Sequence, residues 1–223
     1  MVARSAPAVG RFPVVLVTGF DPFGGQALNP SWMATQCLHG RQIAGHRIVG
    51  AQLPTVFGES VRVLRALLQR HRPALVLCTG QAGGRNGFSI ERVAINVDDA
   101  RIADNAGAQP VDTPVIAGAP DAYFTTLPIK AMLLSLLEAG IDAQVSQTAG
   151  TFVCNHVFFA LMHELASGPE WRGVRGGLIH VPWLPQQGVP CLPLEEVVRG
   201  LRVALACALT TRTDVRAGAG TLY

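Results

Sequence analysis

The stretch ALVLCTGQAGG, residues 74–84, decides the fold class. Its first five residues form a continuous apolar run, typical of a strand that is buried on both faces of a parallel sheet. A glycine-rich turn follows directly. Residues 14–18, ended by Gly19, repeat this pattern, and residues 57–69 between the two runs have the apolar spacing of an amphipathic helix. Strands that alternate with helices predict a doubly wound α/β sheet.

The alternation continues on both sides of this stretch. Asn29 and Pro30 are typical of an N-cap and a first helical position, so they predict a helix to about Leu38. Residues 89–98, SIERVAINVD, alternate residue by residue and predict a half-exposed strand. Residues 99–120 contain three prolines and no sustained period, which predicts a long loop. Further strands are predicted over residues 47–53, 143–147 and 178–181, and further helices over residues 128–139 and 194–209.

Composition indicates a single domain. Of the 223 residues, 49% are hydrophobic and only 15% are charged, which is enough apolar material for one sizeable core. Association between subunits would cover some of the apolar excess. We expect one domain over residues 1–223, with loose termini at about residues 1–12 and 213–223.

Charge and cysteine usage exclude several classes of partner. The 18 basic and 15 acidic residues are interleaved without a basic run, so nucleic acid is not an expected partner. The sequence has no apolar run as long as a membrane span. The five cysteines are scattered and form no CxxC pair, which argues against a disulfide framework or a metal site and favours a reducing, cytoplasmic compartment.

The segment TAGTFVCNHVFFALM, residues 148–162, contains the candidate nucleophile. Gly150 and Thr151 can break and cap the backbone, so Cys154 is predicted on the first turn of a buried helix. The unpaired N–H groups and the dipole of a helix N-terminus stabilise a thiolate. The alternative is that Cys154 is a small buried hydrophobic residue, as most free cysteines are.

A thiol nucleophile needs a base and a group that orients this base. In the helix that contains Cys154, His156 lies on nearly the opposite side and His163 more than two turns away along the axis, so neither should reach the sulfur. His180 ends an apolar strand at the sheet edge where ligands bind, so it is the preferred base, with a core histidine as the alternative. Glu91 lies in an otherwise apolar strand and would be paired if buried; an exposed edge charge is its alternative.

The two glycine-rich turns lack the spacing of nucleotide-binding motifs, so no nucleotide cofactor is expected. Phe20 and Phe23 in the first turn are more informative. Two aromatic side chains in one short loop predict an apolar pocket wall, although they could instead anchor the loop to the core.

Six sequence blocks, in this order, resemble the pyroglutamyl peptidase I (pyrrolidone-carboxylate peptidase) family, over about residues 14–209. They are TGFDPFGG with Asn29-Pro30, GQAGGR, ERVAIN followed by DDARIADN, AYFTTLPIK, TAGTFVCNH and IHVPWLP.

The resemblance implies a cytosolic cysteine peptidase that removes N-terminal pyroglutamyl residues from peptides. It implies a three-layer α/β/α sandwich around a mostly parallel twisted sheet, phosphorylase-like in fold, and a homotetramer. The Cys-His-Glu triad of the family matches Cys154, His180 and Glu91, and no metal or other cofactor is expected. The implied substrate-binding positions are Phe20, Phe23, Asn29, Thr55, Gln81 and Ile102, with Arg101 as a candidate that assists at the oxyanion.

Two alternatives belong to other functional classes. A protein that only binds a small ligand would have an unreactive Cys154. A phosphorylase-like transferase would require phosphate for turnover and would survive loss of the thiol.

Overall fold

The computed structural model describes residues 12–220, and residues 1–11 and 221–223 lie outside the described part. Residues 12–220 form nine strands and five α-helices, with one short 3₁₀ helix at Pro169–Trp171. The strands are β1 (Val14–Phe20), β2 (Gln42–Ile43), β3 (His46–Leu53), β4 (Leu75–Gln81), β5 (Phe88–Glu91), β6 (Val93–Ile95), β7 (Ala122–Phe124), β8 (Ala143–Ser146) and β9 (Arg175–Val181). The α-helices are α1 (Pro30–Leu38), α2 (Glu59–His71), α3 (Ile129–Glu138), α4 (Val153–Ser167) and α5 (Leu194–Thr210).

Seven strands form one sheet in the order β2-β3-β1-β4-β9-β5-β8. The four central strands, β3, β1, β4 and β9, are parallel. At one edge β2 is antiparallel to β3, and at the other edge β5 and β8 are parallel to each other but run antiparallel to β9. The sheet is therefore mostly parallel, as predicted, with two antiparallel junctions. Strands β6 and β7 form a separate two-stranded antiparallel sheet.

Helices cover both faces of the large sheet and enclose two cores. Val15 and Val17 of β1 pack with α1, α3 and α5 on one face. Leu16, which points the other way, packs with α2 and α4 on the opposite face. This period-two division of a buried strand is why β1 reads as a continuous apolar run. The predicted three-layer α/β/α architecture is confirmed.

Local signals mark α1 well. Asn29 is its N-cap and accepts a hydrogen bond from the backbone N–H of Ser31 over 3.0 Å, and Pro30 is its first residue. The long segment before β7 contains no helix or strand of its own, as predicted for residues 99–120.

The prediction of one half-exposed strand over residues 89–98 is wrong. The segment divides at Arg92 into β5, which is fully buried in the large sheet, and β6, which pairs with β7. The alternation of polar residues does not reflect exposure to water in this segment. The side chains of Ser89 and Glu91 face the interior, where each has a hydrogen-bond partner.

The predicted loose tail from residue 213 is held in place over part of its length. Asp214 accepts hydrogen bonds from the backbone N–H groups of Lys130 and Ala131, over 3.1 and 2.9 Å, at the start of α3. A carboxylate at this position also suits the positive end of the helix dipole. The predicted loose N-terminus, apart from Phe12, lies outside the described residues. Across residues 12–220, no helix has the length and apolar character to cross a membrane.

Candidate active site

Cys154 is the second residue of α4 and is half-buried. Gly150 in the loop before α4 has a φ of +78°, a conformation that glycine adopts without strain. The N-cap is Phe152, in extended conformation, and no side chain caps the helix; the hydroxyl of Thr151 bonds instead to the backbone oxygen of Asp99 over 2.7 Å. The first N–H groups of α4 are therefore left for another acceptor next to Cys154.

Cys154 reaches the carboxyl edge of β4 and β9 by a different route from the predicted one. We expected its preceding strand to end at the shared carboxyl edge of a parallel sheet, but β8 runs antiparallel to β9. Residues 147–152 connect the end of β8 to the start of α4, and residues 149–152 line the same cleft as Gln81 of β4 and His180 of β9.

His180 of β9 and Glu91 of β5 are joined across the antiparallel junction of these strands. Ser89 lies opposite His180 in this register, which brings Glu91 onto the same face as His180. Nδ1 of His180 donates to Oε1 of Glu91 over 2.8 Å, and the two residues are only 4% and 0% exposed. This bond fixes the orientation of the imidazole.

The free nitrogen of His180 and the sulfur of Cys154 meet above Gly80 of β4. A Cβ atom built on Gly80 would lie 2.9 Å from both Nε2 of His180 and Sγ of Cys154. The absent side chain of Gly80 therefore creates the space in which the thiol and the imidazole face each other.

The electrostatics of the site favour an imidazolium. Burial lowers the pKa of His180, but hydrogen bonds with Cys154 and Glu91 outweigh burial and raise it to about 9. By contrast, burial raises the pKa of Cys78, two residues before Gly80 in β4, to about 12, so this thiol stays protonated.

The other two histidines near Cys154 in sequence have partners elsewhere. Nδ1 of His156 bonds to Oδ2 of Asp98 over 2.7 Å, and its Nε2 accepts from the backbone N–H of Gly58 over 3.0 Å. His163 bonds through Nδ1 to the hydroxyl of Tyr123 over 3.0 Å. Neither is free to act on the thiol.

A cleft of about 330 Å³ opens beside Cys154 and His180. Apolar and polar side chains both line it, a combination suited to a small molecule with few polar groups. The residues that line it are Phe23, Gln81, Ala82, Arg85, Asp99, Arg101, Ile102, Ala149, Gly150, Thr151, Phe152, Cys154 and His180. The described residues contain no group of three or more His, Cys, Asp or Glu side chains placed to hold a metal ion.

Comparison with known proteins identifies the family. The model of the pyroglutamyl peptidase family matches residues 14–211. The chain belongs to the pyroglutamyl peptidase family. It is 57% identical over 216 residues to the pyrrolidone-carboxylate peptidase of Cupriavidus taiwanensis, covering 95% of this chain and 100% of that one. It is 51% identical to the pyrrolidone-carboxylate peptidase of Escherichia fergusonii, covering 94% of this chain and 99% of the relative.

Solved structures of the family have the same fold. The crystal structure of pyroglutamyl peptidase I from Bacillus amyloliquefaciens superposes with a TM-score of 0.90 at 45% identity, covering 92% of this chain and 99% of that chain. A mutant pyrrolidone carboxyl peptidase from Pyrococcus furiosus superposes with a TM-score of 0.84 at 39% identity, covering 88% and 98%.

The structure divides the substrate positions implied by the pyroglutamyl peptidase resemblance into two groups. Four of them line the cleft: Phe23, Gln81, Arg101 and Ile102. Three do not line it: Phe20, Asn29 and Thr55 are almost fully buried and hold the first loop in shape.

The physical reason differs for each of these three. Phe20 is 1% exposed because β1 extends two residues beyond the predicted strand, so its ring joins the core. Asn29 caps α1 and donates to the backbone oxygen of Asp21 over 3.0 Å. Thr55 bonds to Asp21 through its backbone N–H, over 2.6 Å, and through its hydroxyl, over 3.1 Å.

Sequence reasoning missed three charged or aromatic residues of the cleft. Phe152 packs against Phe23, with ring centroids 5.8 Å apart, and completes the aromatic wall. Asp99 lies at the rim, and Arg85 bonds to Glu91 over 2.9 Å. The blocks TAGTFVCNH and GQAGGR contain Phe152 and Arg85, so inspecting the charged and aromatic residue of each block would have found both.

Proposed function

We propose that this chain is a cysteine peptidase that hydrolyses the bond after an N-terminal pyroglutamyl residue of a peptide. The observation that carries the proposal is the meeting of Cys154 and His180 at one cleft, with Glu91 bonded to His180 behind it, in a chain that belongs to the pyroglutamyl peptidase family. Cys154 is the nucleophile, His180 the general base and acid, and Glu91 the residue that positions His180.

Before acylation the thiol proton of Cys154 lies on Nε2 of His180, whose raised pKa favours the imidazolium. The thiolate attacks the pyroglutamyl carbonyl carbon, and the negative charge moves onto the carbonyl oxygen. The uncapped N–H groups at the start of α4 are the donors for this oxyanion, and Arg101 lies in the same cleft. When the intermediate collapses, the C–N bond breaks and the imidazolium gives its proton to the leaving amine.

Deacylation uses the same groups in reverse. Nε2 of His180 removes a proton from water, the hydroxide oxygen attacks the thioester carbon, and the C–S bond breaks. The proton returns to the sulfur of Cys154 and free pyroglutamate leaves. Glu91 holds the imidazole in a single orientation throughout and stabilises its cationic form.

The cleft suits a small neutral lactam. Phe23 and Phe152 supply an apolar wall for the flat faces of the ring. Gln81 supplies a directed polar group: its Oε1 accepts from Nε2 of Gln187 over 2.9 Å, so its own amide N–H groups are turned toward other acceptors, such as the lactam oxygen. A free α-ammonium group would need an acidic partner beside the apolar wall, whereas the carboxylate that lines the cleft, Asp99, lies at its rim.

We also propose that the protein works in a reducing, cytoplasmic compartment and assembles as a homotetramer, as the family resemblance implied. The five cysteines are free thiols, and Cys154 must stay reduced to react. Exposed apolar side chains, among them Leu134 and Leu137 of α3 and Phe124 of β7, support association with other subunits.

The test is release of aminomethylcoumarin from its pyroglutamyl amide. We expect Cys154→Ala to abolish release and Cys37→Ala and Cys191→Ala to retain it, because only Cys154 has a base. Turnover should require neither added phosphate nor a metal, so EDTA should leave it unchanged. Activity that persists in Cys154→Ala would refute the nucleophile, and phosphate-dependent turnover would favour the transferase. Tight binding of pyroglutamate without any turnover would favour a binding protein.

A further inference from the structure

We propose that Arg85 is a positioning residue of the active site, which holds Glu91 against His180 and ties Glu91 to the loop before Cys154. This inference rests on the proposed function. Arg85 lies in the turn between β4 and β5, in the block GQAGGR. Neither the sequence nor the mechanism above gave this side chain a role.

Arg85 and His180 share one carboxylate oxygen. Nη1 of Arg85 donates to Oε1 of Glu91 over 2.9 Å, and the same oxygen accepts from Nδ1 of His180 over 2.8 Å. The second oxygen, Oε2, is buried and has no hydrogen-bond partner within residues 12–220. The position of the carboxylate therefore depends on two donors at a single atom, and loss of either donor frees it to rotate.

The charge of Glu91 also depends on Arg85. Glu91 is 0% exposed, and an ionised carboxylate that is removed from water needs a cationic or strongly donating partner. His180 is such a partner only while it is an imidazolium. When His180 has given up its proton, Arg85 is the cation that remains within ion-pair distance of Glu91 among the described residues. Arg85 thus gives the buried carboxylate an ion-pair partner through both halves of the catalytic cycle.

The same guanidinium reaches the loop that positions the nucleophile. Nη2 of Arg85 donates to the backbone oxygen of Thr148 over 3.4 Å, and that oxygen also accepts from the hydroxyl of Ser146 over 3.0 Å. Thr148 lies in the connection between β8 and α4. One side chain therefore links the acid on β5 to the segment that sets the start of the Cys154 helix.

Arg85 also lines the cleft, so bound substrate would cover it. Removing water from an ion pair strengthens the attraction between its charges. The neighbouring Arg92 is no substitute, because it forms no ion pair with Glu91 in the described part of the chain.

The experiment compares Arg85→Gln, Arg85→Lys and wild type, with Arg62→Gln as the matched control. Arg62 also pairs with a glutamate, Glu59, but this pair is exposed on α2 and far from the cleft. Folding of each variant is checked by thermal unfolding. The readouts are kcat, KM and the rate of Cys154 alkylation by iodoacetamide as a function of pH.

We expect Arg85→Gln to lower kcat by about tenfold or more with KM changed by less than about threefold, the scale on which outer supporting residues act. Without Arg85 the carboxylate of Glu91 can turn away and the imidazolium of His180 loses its counter-ion, so the alkaline limb of the alkylation profile should move to lower pH by about half a unit or more. A move to higher pH, which loss of a nearby positive charge alone would cause, would overturn the positioning role. Arg85→Lys keeps the charge and should retain most of the wild-type profile. Arg62→Gln should match wild type in every readout.

A wild-type kcat and alkylation profile in folded Arg85→Gln would overturn the inference while leaving the peptidase function intact. A loss expressed only in KM would also overturn it, since it would make Arg85 a substrate contact. Alkylation does not require peptide hydrolysis. Suppose that the wild-type protein fails to cleave pyroglutamyl substrates while Arg85→Gln still shifts the alkylation profile of Cys154. The proposed function is then refuted, and the role of Arg85 at the site is retained.

Discussion

Gly80 and Cys154 are so close that a Cβ atom on Gly80 would lie 2.9 Å from Sγ of Cys154, and it would lie equally close to Nε2 of His180. Real Cβ atoms do not approach other atoms to this distance, so any side chain at Gly80 must displace the two reacting groups. The space left by the absent side chain of Gly80 is thus part of the active site. A substitution that fills this space tests its role directly.

Gly80→Ala should lower kcat/KM for a pyroglutamyl substrate by about tenfold or more, because displacement of reacting groups by as little as 1 Å can cost about 10²-fold. The strain should also cost about 1–3 kcal/mol of stability. Gly218→Ala is the matched control, since a Cβ there meets nothing within 4 Å. Steady-state kinetics and urea unfolding measure both effects. Full activity in Gly80→Ala would mean that the thiol and imidazole do not meet at this point.

Two histidines near the nucleophile, His180 and His156, should respond differently to substitution. His180→Ala should lower the single-turnover acylation rate by at least about 10²-fold, the typical cost of losing a general base, and Glu91→Gln should affect the same step less severely. His156→Ala should mainly lower stability, because it removes the bonds to Asp98 and Gly58. A severe acylation defect in well-folded His156→Ala, or wild-type acylation in His180→Ala, would overturn the assignment.

The two phenylalanines of the first loop should separate binding from folding. Phe23→Ala should weaken substrate binding by about 1–3 kcal/mol, as expected for lost apolar contact with a small ring, with little change in stability. Phe20→Ala should instead cost about 3–5 kcal/mol of stability, because its ring is buried in the core. Substrate KM and urea unfolding of both variants test this. If Phe20→Ala folds normally and Phe23→Ala binds normally, the pocket wall is elsewhere.

Stability should depend on pH through His180. Its pKa is about 9 in the folded protein, above the value of about 6.5 expected for an unfolded chain. The folded state therefore binds more protons between these values, and its contribution to stability is complete below pH 6.5 and is lost as the pH rises through 9. The difference between wild type and His180→Gln in the free energy of unfolding should shrink between pH 6 and pH 9.5. A difference that stays constant over this range would contradict the assignment of the imidazolium.

The sequence by itself determined the features that depend on local periodicity and local chemistry. The apolar run of β4, the Asn29-Pro30 start of α1 and the first-turn position of Cys154 follow from spacing, capping preferences and helix dipole effects between near neighbours. These are enough to predict an α/β sheet and a nucleophile at one edge of it. The alternation of helices and strands is equally a local property.

Tertiary structure alone decided how distant segments meet. Glu91 pairs with His180 because β5 runs antiparallel to β9, and a strand pattern of period two has the same appearance in either direction. Phe20 lies in the core and Phe23 lines the cleft because β1 continues to Phe20. The end of β1 is set by the pairing of Phe20 with Leu53 of β3. Arg85 reaches Glu91 across a turn that periodicity does not describe. Such contacts depend on the register and direction of segments far apart in the chain, and local sequence carries no energy term that fixes them.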